Sequence, residues 1–93
     1  MTEKTLYLLQ GSYAALEQHI STLAQVLTAN DSVVLMGDAV LKHQHPIFST
    51  HDACYALKTD LELLTAANHQ LNAIDYVQFA DLVLQHSRHI SLK

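Results

Sequence analysis

The sequence predicts a small single-domain α/β protein with a mainly parallel sheet of four to five strands and helices on both faces. Short β-branched or apolar runs alternate along the chain with longer stretches of helical periodicity. This alternation implies crossover connections, which join parallel strands and bury both faces of their sheet. With 93 residues the chain has room for one hydrophobic core, so we treat residues 1–93 as one domain.

The first third of the chain predicts a strand, a helix and a second strand. Thr5–Leu9 is a short apolar run that ends at a turn signal, and Ser12 is placed to cap the next helix. Over Tyr13–Leu27, apolar residues recur at spacings of three and four, as an amphipathic helix requires. They are Leu16, Ile20, Leu23 and Leu27. Consecutive apolar residues in Ser32–Met36 indicate a strand that is buried on both faces.

The middle of the chain predicts less regular structure. Ala39–His43 fits a single helical turn, and the polar stretch His43–Asp52, which contains Pro46, predicts a loop. Ala53–Leu57 is the third strand candidate. A helix is predicted over Thr59–Ala67, where acidic residues in the first turn interact favourably with the helix dipole.

The last quarter predicts a strand, a helix and a short final strand. Leu71–Ile74 is the fourth strand candidate, and Asp75 is placed to cap the helix that follows it. His89–Leu92 predicts the final strand. The predicted apolar stripe of the last helix consists of Tyr76, Phe79, Ala80, Val83 and Leu84.

The charge balance argues against nucleic-acid and membrane partners. Five basic residues oppose nine acidic ones, a formal net charge of −4, and the basic residues are scattered along the sequence. Affinity for nucleic acid or for an anionic membrane depends on clustered Lys and Arg. No run approaches the about twenty apolar residues of a membrane span, and the polar N-terminus lacks the pattern of a signal peptide. We therefore expect a cytoplasmic protein.

Cys54 carries the single thiol of the chain, which excludes an internal disulfide. Its place in a predicted strand, next to Ala53 and Tyr55 and near Asp52, lacks the cations that stabilise a thiolate. This setting favours a small buried hydrophobic side chain. A reactive nucleophile at Cys54 stays open as the alternative.

Three of the seven histidines, His43, His45 and His51, lie in the predicted loop. A His-x-His pair can bind a transition metal, but a metal site needs three or four convergent ligands. Since no carboxylate or thiol stands at a suitable spacing, we predict a solvated loop and no metal. His86 and His89 lie at the end of the last predicted helix, where a positive charge interacts favourably with the helix dipole.

Ser12, Asp38 and Asp75 are the remaining candidates for chemistry. Ser12 lacks the strand, Gly-x-Ser-x-Gly and helix context of a hydrolase nucleophile. Two carboxylates that follow strands could support acid–base chemistry, but helix capping explains both Asp38 and Asp75. The two glycines, Gly11 and Gly37, form no phosphate-binding pattern. We therefore predict no cofactor and no catalytic residues.

Four stretches of the sequence carry a family likeness. They are Leu6–Leu9 followed by Ser12, Asp31–Val40, Tyr55–Leu57 with Asp60 and Leu61, and Ile74–Leu82. The most specific is Ile-Asp-Tyr-x-x-Phe at residues 74–79. In these stretches and in its length, the chain resembles the TusB/DsrH family, the smallest subunits of the DsrE/F/H-like sulfur-relay proteins.

The resemblance implies a flavodoxin-like parallel sheet and a heterohexamer with TusC-like and TusD-like subunits. It also implies a role in passing persulfide sulfur toward 2-thiolation of the wobble uridine of certain tRNAs. In that branch the transferring cysteine belongs to the TusD-like subunit, and the TusB-like chain is non-catalytic. In relatives from sulfur oxidisers, the analogous complex serves dissimilatory sulfur metabolism.

At three positions the chain departs from the residues that the family commonly carries, and the first of them bears on which branch the chain resembles. DsrH-type members carry a cysteine in the first helix, at the position of Leu23, which here lies on the apolar stripe of that helix. This departure favours a TusB-like chain. Relatives often carry a Trp near the C-terminus, where this chain has Leu92. They commonly carry an aliphatic residue at the position of Cys54, which agrees with a buried thiol.

The leading hypothesis is a structural subunit that buries an apolar flank against its partners and makes no bonds itself. One rival is a sulfur carrier that uses Cys54. Another is a small homo-oligomeric ligand-binding module that uses the strand ends near Gly11 and Gly37, because ligands of parallel sheets collect there. Self-association of the isolated chain also stays open.

Overall fold

The computed structural model describes residues 4–42, 44–62 and 71–92 of the chain. The strands within these ranges are β1 Thr5–Leu9, β2 Ser32–Leu35, β3 Cys54–Leu57, β4 Asn72–Ile74 and β5 Arg88–Leu92. The helices are α1 Tyr13–Val26, a 3-10 helix Gly37–Lys42, α2 Pro46–Thr50, α3 Lys58–Leu61 and α4 Tyr76–Gln85. The strands form one sheet in the order β4-β3-β2-β1-β5, and every neighbouring pair is parallel. The predicted α/β class with a mainly parallel sheet is therefore confirmed.

The strand order decides which helix covers which face of the sheet. The chain steps from β1 to β4 in one direction and then returns across the sheet to place β5 beside β1. Because crossovers between parallel strands are right-handed, this reversal moves the connecting helix α4 to the opposite face. The flavodoxin order is 2-1-3-4-5, so the likeness to flavodoxin covers the layers and not the strand order.

The face covered by α1, which we call the α1 face, holds the larger core. Leu16, Ile20 and Leu23 extend from α1 toward the sheet and are at most 1% exposed. Their main neighbours in this core are Tyr7, Leu9, Val33, Leu35, Ala39, Val40, Phe48, Cys54 and Ala56. Leu23, the position that the family resemblance matched to a cysteine, is therefore a core residue.

The other face of the sheet, which we call the α4 face, is covered by α4 alone among the described helices. Its buried residues are Leu6, Val34, Leu57, Ile74 and Leu82. Half-buried side chains surround them, namely Leu8, Met36, Tyr55, Phe79 and Val83. A ten-residue helix is too short and narrow to cover five strands, so apolar surface remains open on this face.

The predicted loop His43–Asp52 is wrong in its middle part, because Pro46–Thr50 forms α2. Proline suits the first position of a helix, where a backbone N–H has no partner within the helix. The Nδ1 atom of His45 accepts a hydrogen bond from the Ile47 N–H at 3.3 Å and caps the helix. Phe48 is buried in the core of the α1 face. Tertiary packing thus stabilises a helix that is too short to show a periodic pattern.

The remaining element bounds differ little from the predicted ones. The 3-10 helix lies where one helical turn was predicted, and α1 ends one residue early, at Val26. α3 covers Lys58–Leu61, and the predicted helical residues 63–67 lie outside the described residues, as does His43. β5 begins at Arg88 because that residue pairs with Thr5 of β1. No helix in the described ranges is long and apolar enough to cross a membrane.

We expect the substitution Asp31→Ala to lower the free energy of unfolding by about 2–4 kcal/mol. The buried carboxylate of Asp31 accepts hydrogen bonds from the Thr5 N–H at 3.2 Å and from the Thr28 N–H at 2.9 Å. Alanine removes the acceptor of the Thr5 N–H, which is buried and would then have no hydrogen bond to Asp31. Urea unfolding followed by circular dichroism measures the change. Asn30→Ala, an exposed neighbour, is the control, and equal effects of the two substitutions would contradict this account.

Candidate protein interface

The thiol of Cys54 is enclosed in the core of the α1 face. The residue is 0% exposed, and its Sγ donates a hydrogen bond to the His51 carbonyl oxygen at 3.1 Å. Burial, with a smaller contribution from the charge of Asp52, raises the pKa of the thiol to about 12. The predicted burial of Cys54 is therefore confirmed, and the thiol stays protonated at neutral pH.

Two histidines of the predicted solvated loop, His45 and His51, have separate structural roles. His45 caps α2, whereas the Nε2–H of His51 donates to the Asp31 carbonyl oxygen at 2.6 Å. In the described part of the chain, no group of three His, Cys, Asp or Glu side chains could hold a metal ion. His45 thus stabilises the start of α2, and His51 binds the backbone just before β2.

The three polar residues that follow strands, Ser12, Asp38 and Asp75, differ in how they relate to the next helix. Asp75 accepts a hydrogen bond from the Gln78 N–H at 2.8 Å, and the Gln78 side chain accepts one from the Asp75 N–H at 2.9 Å, so the predicted cap is confirmed. Ser12 occupies the cap position of α1 without a side-chain hydrogen bond. Asp38 lies inside the 3-10 helix and not before it, so its predicted cap is wrong.

Sequence reasoning missed Asp60, which ties two strand ends together. Its Oδ2 accepts a hydrogen bond from the Gly37 N–H at 3.1 Å, across 23 residues of chain. Gly37 has a φ of +58°, a backbone conformation that glycine adopts without strain. The single signal in the sequence was the position of Asp60 just after a strand. The bond occupies a backbone donor that a ligand at this strand end would need.

A small cleft lies at the carboxyl ends of β3 and β4. The two strands lead to helices on opposite faces, an arrangement that opens a crevice between their loops. The cleft has a volume of about 220 Å³, and the buried side chains of Leu57 and Ile74 form its floor. Lys58, Thr59, Asp75 and Tyr76 form its rim. A floor of this kind suits an apolar group.

The outer side of α4 carries a contiguous apolar surface, which we call the outer stripe. Tyr76, Val77, Ala80 and Leu84 lie within an arc of about 100° around the helix axis. Tyr76 is 66% exposed, Val77 72% and Leu84 83%, and Ala80 is exposed as well. Tyr76 also forms part of the rim of the cleft, so the outer stripe and the cleft are continuous.

The predicted apolar stripe of α4 is confirmed for Phe79 and Val83, which pack on the sheet, and is wrong for its other three residues. Leu82 is the buried residue of α4, with Phe79 and Val83 half-buried beside it. Tyr76, Ala80 and Leu84 were assigned to the packed side and instead face away from it. The helix therefore has two apolar sides, one that packs on the sheet and one that is open.

Two histidines hold the C-terminal end of α4 against the sheet. The Nδ1–H of His86 donates to the Leu82 carbonyl oxygen at 2.6 Å, and its Nε2 makes a hydrogen bond with the Ser32 hydroxyl at 3.0 Å. The Nε2–H of His89 donates to the Val83 carbonyl oxygen at 2.7 Å. These bonds fix the direction in which the outer stripe faces.

A protein-family model described as "DsrH like protein" matches residues 14–89, which is most of the chain. The match extends from α1 into β5 and includes Cys54 and the whole of α4. No curated protein and no solved structure matches the chain.

Proposed function

Because this chain belongs to the DsrH-like family, we propose that it is a non-catalytic subunit of a sulfur-relay complex. In this proposal it assembles with TusC-like and TusD-like subunits into a heterohexamer. The complex passes persulfide sulfur toward 2-thiolation of the wobble uridine of tRNA. The observation that carries the proposal is the outer stripe of α4, an exposed apolar surface.

The outer stripe has the properties of a binding surface for another protein. Three large apolar side chains, Tyr76, Val77 and Leu84, stand more than half exposed on one side of a helix whose other side is already packed. Contiguous apolar surface of this kind on a soluble domain marks an interaction site. Burial of each side chain against a partner contributes about 1.5 kcal/mol or more. The adjacent cleft can receive an apolar side chain of the partner.

The position of Cys54 argues against a sulfur carrier. Persulfide transfer needs a thiolate that attacks the outer sulfur of the donor, so the receiving thiol must be ionised and accessible. The Cys54 side chain is 0% exposed and its pKa is raised to about 12. The sulfur-bearing cysteine of the proposed complex therefore belongs to another subunit.

The strand ends offer little to a small-molecule ligand. Binding sites for small molecules usually enclose about 300–1,000 Å³, whereas the cleft beside Tyr76 measures about 220 Å³. Near Gly37, the backbone N–H already donates to Asp60. At the carboxyl ends of β2, β3 and β4, these observations favour a protein partner over the alternative of a ligand-binding module.

Co-expression with the TusC-like and TusD-like proteins tests the proposal. We expect the three chains to co-elute, and we expect Leu84→Glu to weaken the assembly by at least about tenfold because it places a charge in the apolar contact. Leu84 is 83% exposed, so the substitution should leave the unfolding midpoint of the isolated chain unchanged. Size-exclusion chromatography with mass determination measures both assembly and stoichiometry.

Gln85→Glu is the matched control, since it places the same charge on the polar side of α4. It should leave co-elution intact. Failure of the wild-type chain to co-elute would refute the proposed complex. Full co-elution of the Leu84→Glu variant would show that the partners bind elsewhere.

A further inference from the structure

β5 forms one edge of the sheet and has a free backbone side. In the described part of the chain it pairs only with β1. The Arg88 N–H bonds to the Lys4 carbonyl and the Leu92 carbonyl accepts from the Gln10 N–H, so alternate residues face β1. By the geometry of a parallel ladder, His89 and Ser91 direct their N–H and C=O groups away from the sheet. Free edges of this kind are templates for another strand.

We propose that β5 is a two-fold interface at which two copies of this chain pair their edges in antiparallel orientation, centred on Ile90. In this register His89 lies opposite Ser91 of the second copy, and each of these pairs exchanges two N–H···O=C bonds. The two pairs give four hydrogen bonds between the copies. Ile90 of one copy lies opposite Ile90 of the other at a non-hydrogen-bonded position, where the two Cα atoms are about 4.5 Å apart.

The side chains of β5 are compatible with pairing between two copies of this strand, and they favour the register centred on Ile90. Arg88 lies opposite Leu92 of the second copy, so no two like charges face each other across the interface. A shift of two residues in one direction places His89 opposite His89 and leaves Leu92 unpaired. A shift of two residues in the opposite direction places His89 beyond the end of β5 of the second copy, so that His89 has no partner there. The centred register alone pairs all five residues from Arg88 to Leu92.

A groove beside β5 gives the contact an apolar component. It lies between α1 and β5 on the α1 face and has a volume of about 380 Å³. Its lining residues are Tyr7, Thr22, Val26, Arg88, Ile90 and Leu92. A two-fold axis perpendicular to the sheet keeps the α1 face of both copies on the same side. The grooves of the two copies then meet at Ile90, where each copy covers half-buried apolar surface of the other.

This contact uses a different part of the molecule from the outer stripe of α4, so it holds or fails independently of the proposed function. A heterohexamer of three kinds of subunit contains two copies of this chain, and the β5 contact can join them. The same contact predicts that the isolated chain, of 10.4 kDa, forms a dimer of twice that mass.

Cross-linking at the proposed axis provides the direct test. Under mild oxidation, Ile90→Cys in a Cys54→Ser background should form a disulfide-linked dimer, because the two Cα atoms lie within the range that a disulfide spans. Gln85→Cys, an exposed position on α4, is the control and should remain monomeric on a non-reducing gel. Equal cross-linking of the two variants would overturn the proposal.

A second variant removes two of the four proposed hydrogen bonds and leaves the pairing of β5 with β1 unchanged. Ser91→Pro deletes an N–H that points away from the sheet, and proline is tolerated at such positions of an edge strand. Sedimentation equilibrium should show a dimer for the wild type and a dissociation constant at least about tenfold higher for Ser91→Pro, with Ser91→Ala unchanged. A wild type that is monomeric at all concentrations, or a dimer that Leu84→Glu dissociates and Ser91→Pro does not, would overturn the proposal.

Discussion

At pH 8 the thiol of Cys54 is expected to react with iodoacetamide about a thousand times more slowly than an ordinary cysteine thiol. The reactive form is the thiolate, and its fraction falls tenfold for each unit by which the pKa exceeds its ordinary value. Burial, assisted by the charge of Asp52, raises the pKa of this thiol from 9.0 to about 12. Enclosure in the core slows the reaction further, since Cys54 is 0% exposed. Mass spectrometry of quenched samples measures the rate.

The pH dependence of the reaction distinguishes this explanation from steric protection alone. A raised pKa means that the thiolate fraction keeps increasing about tenfold per pH unit from pH 8 toward 12, with no plateau near 9. In denaturing urea the same residue should react at the rate of a free cysteine. The Cys54→Ser variant shows how much label other residues take up. Rapid, stoichiometric labelling of the folded protein at pH 7 would contradict the buried thiol and revive the sulfur-carrier alternative.

An unreactive Cys54 would have a direct consequence for the relay. The chain has one cysteine, so without it no thiol on this subunit can carry a persulfide. Leu23, the position that the family resemblance matched to a cysteine, has no thiol and packs in the core of the α1 face. In the proposed complex, the part that remains for this chain is to shape the assembly, and the apolar outer stripe of α4 suits that part.

The strands and the starts of α1 and α4 could be predicted from local sequence. Three successive apolar residues at Val33–Leu35 required a strand that is buried on both faces, and all three are fully buried. Asp75 before an apolar run predicted a helix start, and the structure shows both bonds of a capping box between Asp75 and Gln78. Such signals depend on neighbours within four residues, which is why one sequence reveals them.

The packed side of α4 could not be predicted, for a physical reason. Apolar residues cover an arc of about 220° of this helix, from Leu82 through Phe79 to Val77. Periodicity shows that the helix is amphipathic, but it cannot show which half of so wide an arc packs on the sheet. The bonds that His86 makes to Leu82 and Ser32 settle the rotation, and these span up to 54 residues. The open half of the arc, from Tyr76 to Leu84, is the candidate interface.

Phe48→Ala is expected to lower the free energy of unfolding by about 3–5 kcal/mol. Phe48 is 1% exposed and is the largest fully buried side chain in the described part of the protein. It packs from α2 into the core of the α1 face, where alanine would leave a cavity. A domain of ordinary stability has about 5–15 kcal/mol in total, so the variant should unfold at a much lower urea concentration. Circular dichroism in a urea titration measures the midpoint and the slope.

Two further variants make this prediction decisive. Ser49→Ala, on the exposed side of α2, removes only a surface hydrogen bond to the Pro46 carbonyl oxygen and should cost about 1 kcal/mol or less. If Phe48→Ala does not fold, Phe48→Leu should fold with a smaller loss, because it retains most of the buried apolar volume. Equal midpoints for Phe48→Ala and Ser49→Ala would mean that residues 46–50 do not pack on the core. The segment would then be the solvated loop that its polar sequence indicates, and the closed core around Cys54 would need another explanation.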